Sequence, residues 1–313
     1  MAAVIIVLAS AGAASHLRML RAFSDYLSVT YPAGSVKWEQ FETFLKSGDG
    51  QKFACAAVWR DRGERTLRKE PSGKNARVKV YEIGGQMQAV FGNTLLCGRY
   101  PEPDEEGVCL IDRGTAEELL GSKDVLGLEI TLDGENCRIA GILDGTRRIC
   151  VLPASEGTFE GVTVRKHEPE QSSENAQAVL DAHFGGSSIQ ITDGQLCYLA
   201  TLVKLSFFFL SASVLPGVIL IKVRGKYLAG GTALAAGIFI LVLIGRGMPV
   251  GSDYLPTYWA DLDFFADLWQ EKNAQLETLA GHQEFWHEER MISNHGFQVL
   301  GFDVTIDITT KMC

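Results

Sequence analysis

Two uncharged apolar runs decide most of what this chain can be. Leu205–Ile221 (LSFFFLSASVLPGVILI) carries no charged side chain, and neither does Tyr227–Ile244 (YLAGGTALAAGIFILVLI). With Leu199–Val203 added upstream, the first run reaches about 23 residues, interrupted only by Lys204. At ~1.5 Å per helical residue this crosses a ~30 Å hydrocarbon core with some tilt. Lys204 then lies near one end, where its stem can carry the ammonium to the interface. The second run holds Gly230, Gly231, Ala235, Ala236 and Gly237, small residues that suit close helix packing in lipid. The plain alternative is a pair of buried helices in a water-soluble core. Core helices rarely go so far without a polar face, so membrane spans are the reading adopted.

Orientation follows from charge. Lys222, Arg224 and Lys226 sit within five residues between the two runs, a cytoplasmic signature under the positive-inside rule. From Asp253 to Glu289 there are nine Asp or Glu against one Lys. The hairpin is therefore expected to dip into the cytoplasm, with both long flanks outside. The N-terminal Ala2–Ala14 is apolar but short for a span. It reads as a first span reaching toward Leu17, as a start site placed too late, or as a cleaved signal; the first is favoured. His16, Arg18 and Arg21 then fall on the external side, against the charge rule. The expected organisation is an N-terminal transmembrane segment 1–22, a folded block 23–198, a transmembrane hairpin 199–246, and an acidic, aromatic-rich tail 247–313.

The block 23–198 is long enough for a core of its own. Ser35 is placed to cap a helix with Trp38, Phe41, Phe44 and Leu45 on one face. Strands are expected at Phe53–Trp59, Arg77–Ile83, Val108–Asp112, Cys150–Leu152 and Ser188–Thr192, with a further one at Thr158–Arg165. The charged stretch Arg60–Arg77, with Pro71 and Gly73, reads as a loop. Thr115–Leu120 is a short helix stopped by Gly121. Leu128–Leu132 and Cys137–Leu143 flank a turn at Asp133–Asn136. Residues 166–174 read as polar and disordered, and Asn175–Phe184 as a helix. Strands and helices mix without regular βαβ alternation. The expected fold class is a membrane protein with an α+β extracytoplasmic domain and two to three transmembrane α-helices.

Within this block, Leu95–Leu143 resembles the extracytoplasmic core domain of MacB/FtsX-type ABC transporter permeases. The residues that carry the resemblance run in order. Gly98-Arg99 is followed by the acidic loop Asp104-Glu105-Glu106, the strand Val108–Ile111, a short helix with Ala116 and Leu119, the stretch Asp124–Gly127, and a strand pair ending in Gly141-Ile142-Leu143. Val151-Leu152-Pro153 adds a further step. The resemblance implies a plasma-membrane permease-like subunit that couples a separate ATP-binding cassette ATPase to its outer domain by conformational change, beside a second permease subunit. The chain departs from the family pattern in offering at most three spans where four are usual. Its cytoplasmic turn of five residues is too short for a coupling helix that grips an ATPase. These departures favour the alternative, a membrane-anchored extracytoplasmic binding or scaffold protein without energy coupling.

The remaining motifs fall short of the catalytic patterns they approach. Ser72-Gly73-Lys74-Asn75 lacks the glycine spacing and hydroxyl of a Walker A loop. His287-Glu288-Glu289-Arg290-Met291 lacks the second histidine of a zinc-protease helix, and His282 and His287 share no helix face. Six of the seven cysteines (Cys55, Cys97, Cys109, Cys137, Cys150, Cys197) fall in the outer block, where disulfides are permitted, and none forms C-x-x-C. No enzyme activity, catalytic residue, cofactor or metal is expected. A net charge of −9 argues against nucleic acid. The expected partners are the lipid bilayer and the two transporter subunits named above. Contact residues are Lys222, Arg224 and Lys226 on the cytoplasmic turn, and Trp259 and Trp269 in the aromatic run after Asp253. That run reads as an interfacial helix, as a docking surface for a partner, or as a short helix covering lipid-exposed protein.

Overall fold

The computed structural model describes residues 21–70, 72–92, 94–122, 125–186, 188–202, 251–255 and 264–281. The chain divides into two compact units. One comprises Phe23–Leu196 with Pro249–Glu288; the other comprises Met1–Ala22, Cys197–Met248 and Glu289–Cys313. The expected spans lie outside the described residues, apart from 21–22 and from 199–202, which is helical. Among the described residues no helix is long and apolar enough to cross a membrane.

The larger unit is α+β, as its mixed sequence pattern predicts. It contains β1 (Tyr26–Thr30), β2 (Val36–Lys37), α1 (Trp38–Lys46), β3 (Phe53–Lys69), β4 (Lys74–Gly85), α2 (Gln88–Phe91) and β5 (Leu95–Gly98). β6 (Val108–Asp112), α3 (Arg113–Leu120), β7 (Glu129–Leu132), β8 (Glu135–Leu143) and β9 (Ile149–Pro153) follow. The remainder is β10 (Thr158–Phe159), β11 (Gly161–Lys166), α4 (Ser173–Phe184), β12 (Gln190–Asp193) and α5 (Phe264–Gly281). One large sheet runs in the order β12-β1-β11-β3-β4-β9-β6-β8-β5, with β7 pairing β3 and β8. β4–β9 and β6–β8 are parallel; the other pairs of this sheet are antiparallel.

The sheet is packed at both ends. Leu27, Val29, Val162 and Val164 pack with Phe41 and Phe44 of α1 and with Ala176, Leu180 and Phe184 of α4. At the other end Leu67, Ala76, Val78, Val80, Cys109 and Ile111 pack with Ala116 and Leu119 of α3. Phe41 and Phe44 share one face of α1 and are fully buried, worth about 1.5–3 kcal/mol each.

Several local expectations hold. Gly121 ends α3 in the left-handed region at φ 69°, and Asp133-Gly134 turn β7 into β8 at φ 51° and 93°. Others are corrected. The charged stretch after Trp59 is not a loop but a long hairpin, because Leu67, Ala76 and Val78 alternate inward while Thr66, Arg68, Asn75 and Arg77 face water. Ser35 does not cap α1. Lys37 is the cap residue, and its N–H donates to Gln40 Oε1 at 3.2 Å. Residues 166–174 are not disordered: Lys166 is 1% exposed, and α4 begins at Ser173. The six cysteines of the outer block are free thiols. Burial pushes the Cys137 thiol up to about 11, so it stays protonated and unreactive at neutral pH.

Candidate functional site

The chain enters or leaves the larger unit at Phe23, Leu196, Pro249 and Glu288; described residues adjoin the first three, and the fourth lies outside them. Those three passages lie side by side. Gly194 packs so closely on the carbonyl of Phe23 that a Cβ there would overlap the oxygen. Gly251 packs on the Gln195 side chain, where an added Cβ would lie 2.7 Å from Oε1. Only glycine lets backbone approach backbone at this range.

A buried cation lies where the passages meet. Lys166, the last residue of β11, donates through Nζ to Ser173 Oγ at 2.9 Å, Gln171 O at 3.1 Å and Pro169 O at 3.3 Å. Those bonds tie the turn after β11 to the start of α4. Each passage also supplies a carboxylate that acts on this ammonium: Asp25 from the first, Asp193 from the second, Asp253 from the third. Burial lowers the Lys166 pKa, and the three aspartates with Glu170 oppose that shift. Burial raises the Asp193 pKa, and Lys166 is the largest influence pulling it back.

Each aspartate also has a local task. Asp193 Oδ1 accepts from Gln195 N at 2.9 Å where a helix begins at residue 194. Asp253 Oδ2 accepts from Ser173 N at 2.7 Å and Glu174 N at 3.3 Å, so the third passage docks on the N-terminus of α4, where the helix dipole favours a negative charge. Asp25 Oδ1 accepts from Arg165 Nη1 at 2.6 Å; Arg165 also donates from Nε to Ala89 O and lies 4.7 Å above the Phe23 ring. Lys272 of α5 pairs with Glu174 at 3.0 Å, adding a second tie between the third passage and α4.

This arrangement can hold three strands of chain in one register and transmit a displacement of any of them into α4 and β11. It offers no nucleophile–base pair. Among the described residues no group of three or more His, Cys, Asp or Glu is placed to hold a metal ion. Lys222, Arg224, Lys226 and Trp259, and the histidines of 282–287, lie outside the described residues. Trp269 lies on α5, 55% exposed, and is not brought together with Lys166 and its aspartates. Sequence reading passed over Asp25, Lys166, Asp193 and Asp253. The one signal it contained was that single acidic residues flank each end of the folded block.

The family model described as MacB-like periplasmic core domain matches residues 1–183. Leu95–Leu143, whose motif order resembles that domain, lies within the match. The periplasmic region of MacB from Actinobacillus actinomycetemcomitans is similar at 14% identity and a TM-score of 0.48, over 56% of this chain and 92% of that one. The extracellular domain of the noncanonic ABC-type transporter YknZ from Gram-positive bacteria is similar at 13% identity and a TM-score of 0.39, over 49% and 87%. No curated protein matches the chain.

Proposed function

Because the chain belongs to the MacB-like periplasmic core domain family, we propose that it is a permease-like subunit of a MacB/FtsX-type ABC transporter system. In this reading, 23–198 is the extracytoplasmic core domain, 1–22 and 199–246 are its transmembrane segments, and 247–313 returns outside the plasma membrane. A separate ATPase subunit hydrolyses ATP. Lys222, Arg224 and Lys226 form the cytoplasmic turn that meets it, and a second permease subunit completes the assembly.

The observation that carries the reading is the meeting of three passages at Lys166. A domain that merely sits on an anchor needs one firm attachment. Here Asp25, Asp193 and Asp253, one from each passage, all act electrostatically on one buried cation, and in this reading movement of one passage relative to another is felt inside the domain. Buried, mutually dependent charges give such a contact discrete arrangements instead of gradual slack. Conformational coupling suits this chain better than a solute path, since neither apolar run contains a charged side chain and a polar path needs some.

The turn of five residues between the runs supports the second reading, a membrane-anchored scaffold without energy coupling. Purification in mild detergent separates the two. Recovery of a nucleotide-binding chain with this one is the expected result; its absence while the chain remains folded would favour the scaffold.

A further inference from the structure

The outer half of the β3–β4 hairpin is one wall of a closed ring. β3 pairs β4, β4 pairs β9, β9 pairs β6, β6 pairs β8, β8 pairs β7, and β7 returns to β3. The interior of this six-stranded barrel is filled by Leu67, Val78, Ile111, Ile130, Leu132 and Ile139, with Ala116 and Leu119 of α3 packed against them. Closure covers strand edges that an open sheet would present to water.

The ring is closed by two residue pairs, Leu67 with Leu132 and Arg68 with Thr131. The β9–β6 join also rests on two, Leu110 with Val151 and Ile111 with Cys150. There, however, all four side chains are buried, and Asp112 clamps the join by accepting from Arg148 N and Ile149 N. At the β7–β3 join only the two leucines are buried, and the reinforcing contacts are exposed. Arg65 Nε pairs with Asp133 at 3.2 Å, and Lys69 Nζ donates to Glu129 O at 2.9 Å. Exposed ties of this kind add little and are screened by salt. Lys69 also stands directly opposite Lys74, a like-charge pair that weakens the end of the hairpin. β7 is held more firmly to β8. It pairs with β8 over Glu129–Leu132, and just before it Gly127 N donates to Ile139 O while Leu128 O accepts from Ile139 N.

We propose that β7 is a gate: it parts from β3 while staying on β8, opening the barrel between Leu67 and Leu132 with the rest of the domain folded. Three thiols inside the barrel report on it. Cys137, on β8 opposite Ile130, lies behind β7 alone. Cys109 on β6 and Cys150 on β9 each lie behind two strands, counted from either side of the gap. Cys137 is 7% exposed and the other two 0%. Opening therefore uncovers Leu67, Leu132 and Cys137 and leaves Cys109 and Cys150 covered. Cys137 becomes a site that a small thiol-reactive electrophile reaches only through the gate. The gate lies wholly within the larger unit and does not depend on coupling to an ATPase.

The test alkylates the full, detergent-solubilised chain with iodoacetamide, as wild type and as Asp133→Asn. Sulfur bonds to the reagent's carbon as iodide leaves, and the thiol proton passes to buffer. Peptide mapping by mass spectrometry reads each cysteine separately. Asn before Gly134 suits the turn, where residue 133 has φ 51°, so the variant loses the Arg65 pair and keeps the backbone. Cys137 should be alkylated well before Cys109 and Cys150 in the wild type. Asp133→Asn should speed Cys137 roughly two- to fivefold and leave the other two unchanged. Raising potassium chloride to about 0.5 M should act on Cys137 in the same direction. One common rate for the three thiols would mean that only global unfolding reaches them, and overturns the gate. A Cys137 rate that Asp133→Asn does not alter overturns it too, as does a variant in which all three thiols quicken together.

Discussion

Asp112 is fully buried at the end of β6, and its carboxylate accepts four hydrogen bonds. Oδ1 takes Thr115 N at 3.1 Å, Thr115 Oγ1 at 2.5 Å and Ile149 N at 3.1 Å, and Oδ2 takes Arg148 N at 3.0 Å. One side chain thus caps α3 and starts β9, 37 residues away in sequence. The arrangement costs backbone strain at Arg148, which adopts φ 61° in the left-handed region that usually falls to glycine. Removing the carboxylate leaves buried N–H groups without acceptors, at about 1–3 kcal/mol each. Asp112→Ala should therefore destabilise the detergent-solubilised chain by ~3–5 kcal/mol, roughly 10 °C in thermal midpoint. Asp112→Asn keeps the shape and one acceptor and should lose less. A midpoint within a degree of wild type for Asp112→Ala would show that these bonds are replaceable. The helix and its Gly121 stop are legible in the sequence and this cap is not, because half of its partners lie more than thirty residues away.

At the scale of elements, α4 shows how one helix joins separate parts of the chain. Ser172 Oγ accepts from Asn175 N at 3.0 Å, an ordinary cap. Asp253 takes the amides of Ser173 and Glu174, donors left over at any helix start. The reading of 166–174 as disordered missed Ser172, although its cap is local; Asp253 lies about 80 residues on, beyond any local pattern. Asp253→Ala removes a contact worth about 1 kcal/mol. Amide exchange at Ser173 and Glu174 should then quicken roughly fivefold, with Leu180 unchanged. Unchanged exchange at Ser173 would mean that the third passage does not stabilise α4. The β3–β4 hairpin teaches the complementary lesson. Its length was hidden because charged residues on the water side outnumber the three inward apolar positions.

For the whole molecule, the folded block and the acidic tail are expected outside the membrane. Protease added to intact cells should therefore cleave the block, with fragments visible on blotting, while the segment between the two apolar runs stays protected. A block that survives until the membrane is permeabilised would reverse the orientation and remove the transporter reading. At the same scale the large sheet is packed at both ends by separate clusters, and close packing of this kind resists local deformation.

Read from its residues alone, this chain disclosed what depends on neighbours a few positions apart: the stop at Gly121, the Asp133-Gly134 turn, the inward face of α1, the α+β mixture, and the motif order of Leu95–Leu143. Each rests on local backbone preference or short-period burial. The pairing of β4 with β9, the burial of Lys166 and its electrostatic influence from Asp25, Asp193 and Asp253 were decided only in three dimensions. A charge next to water and a charge against a buried ammonium have the same letters around them; what separates them is which distant segment removes the water.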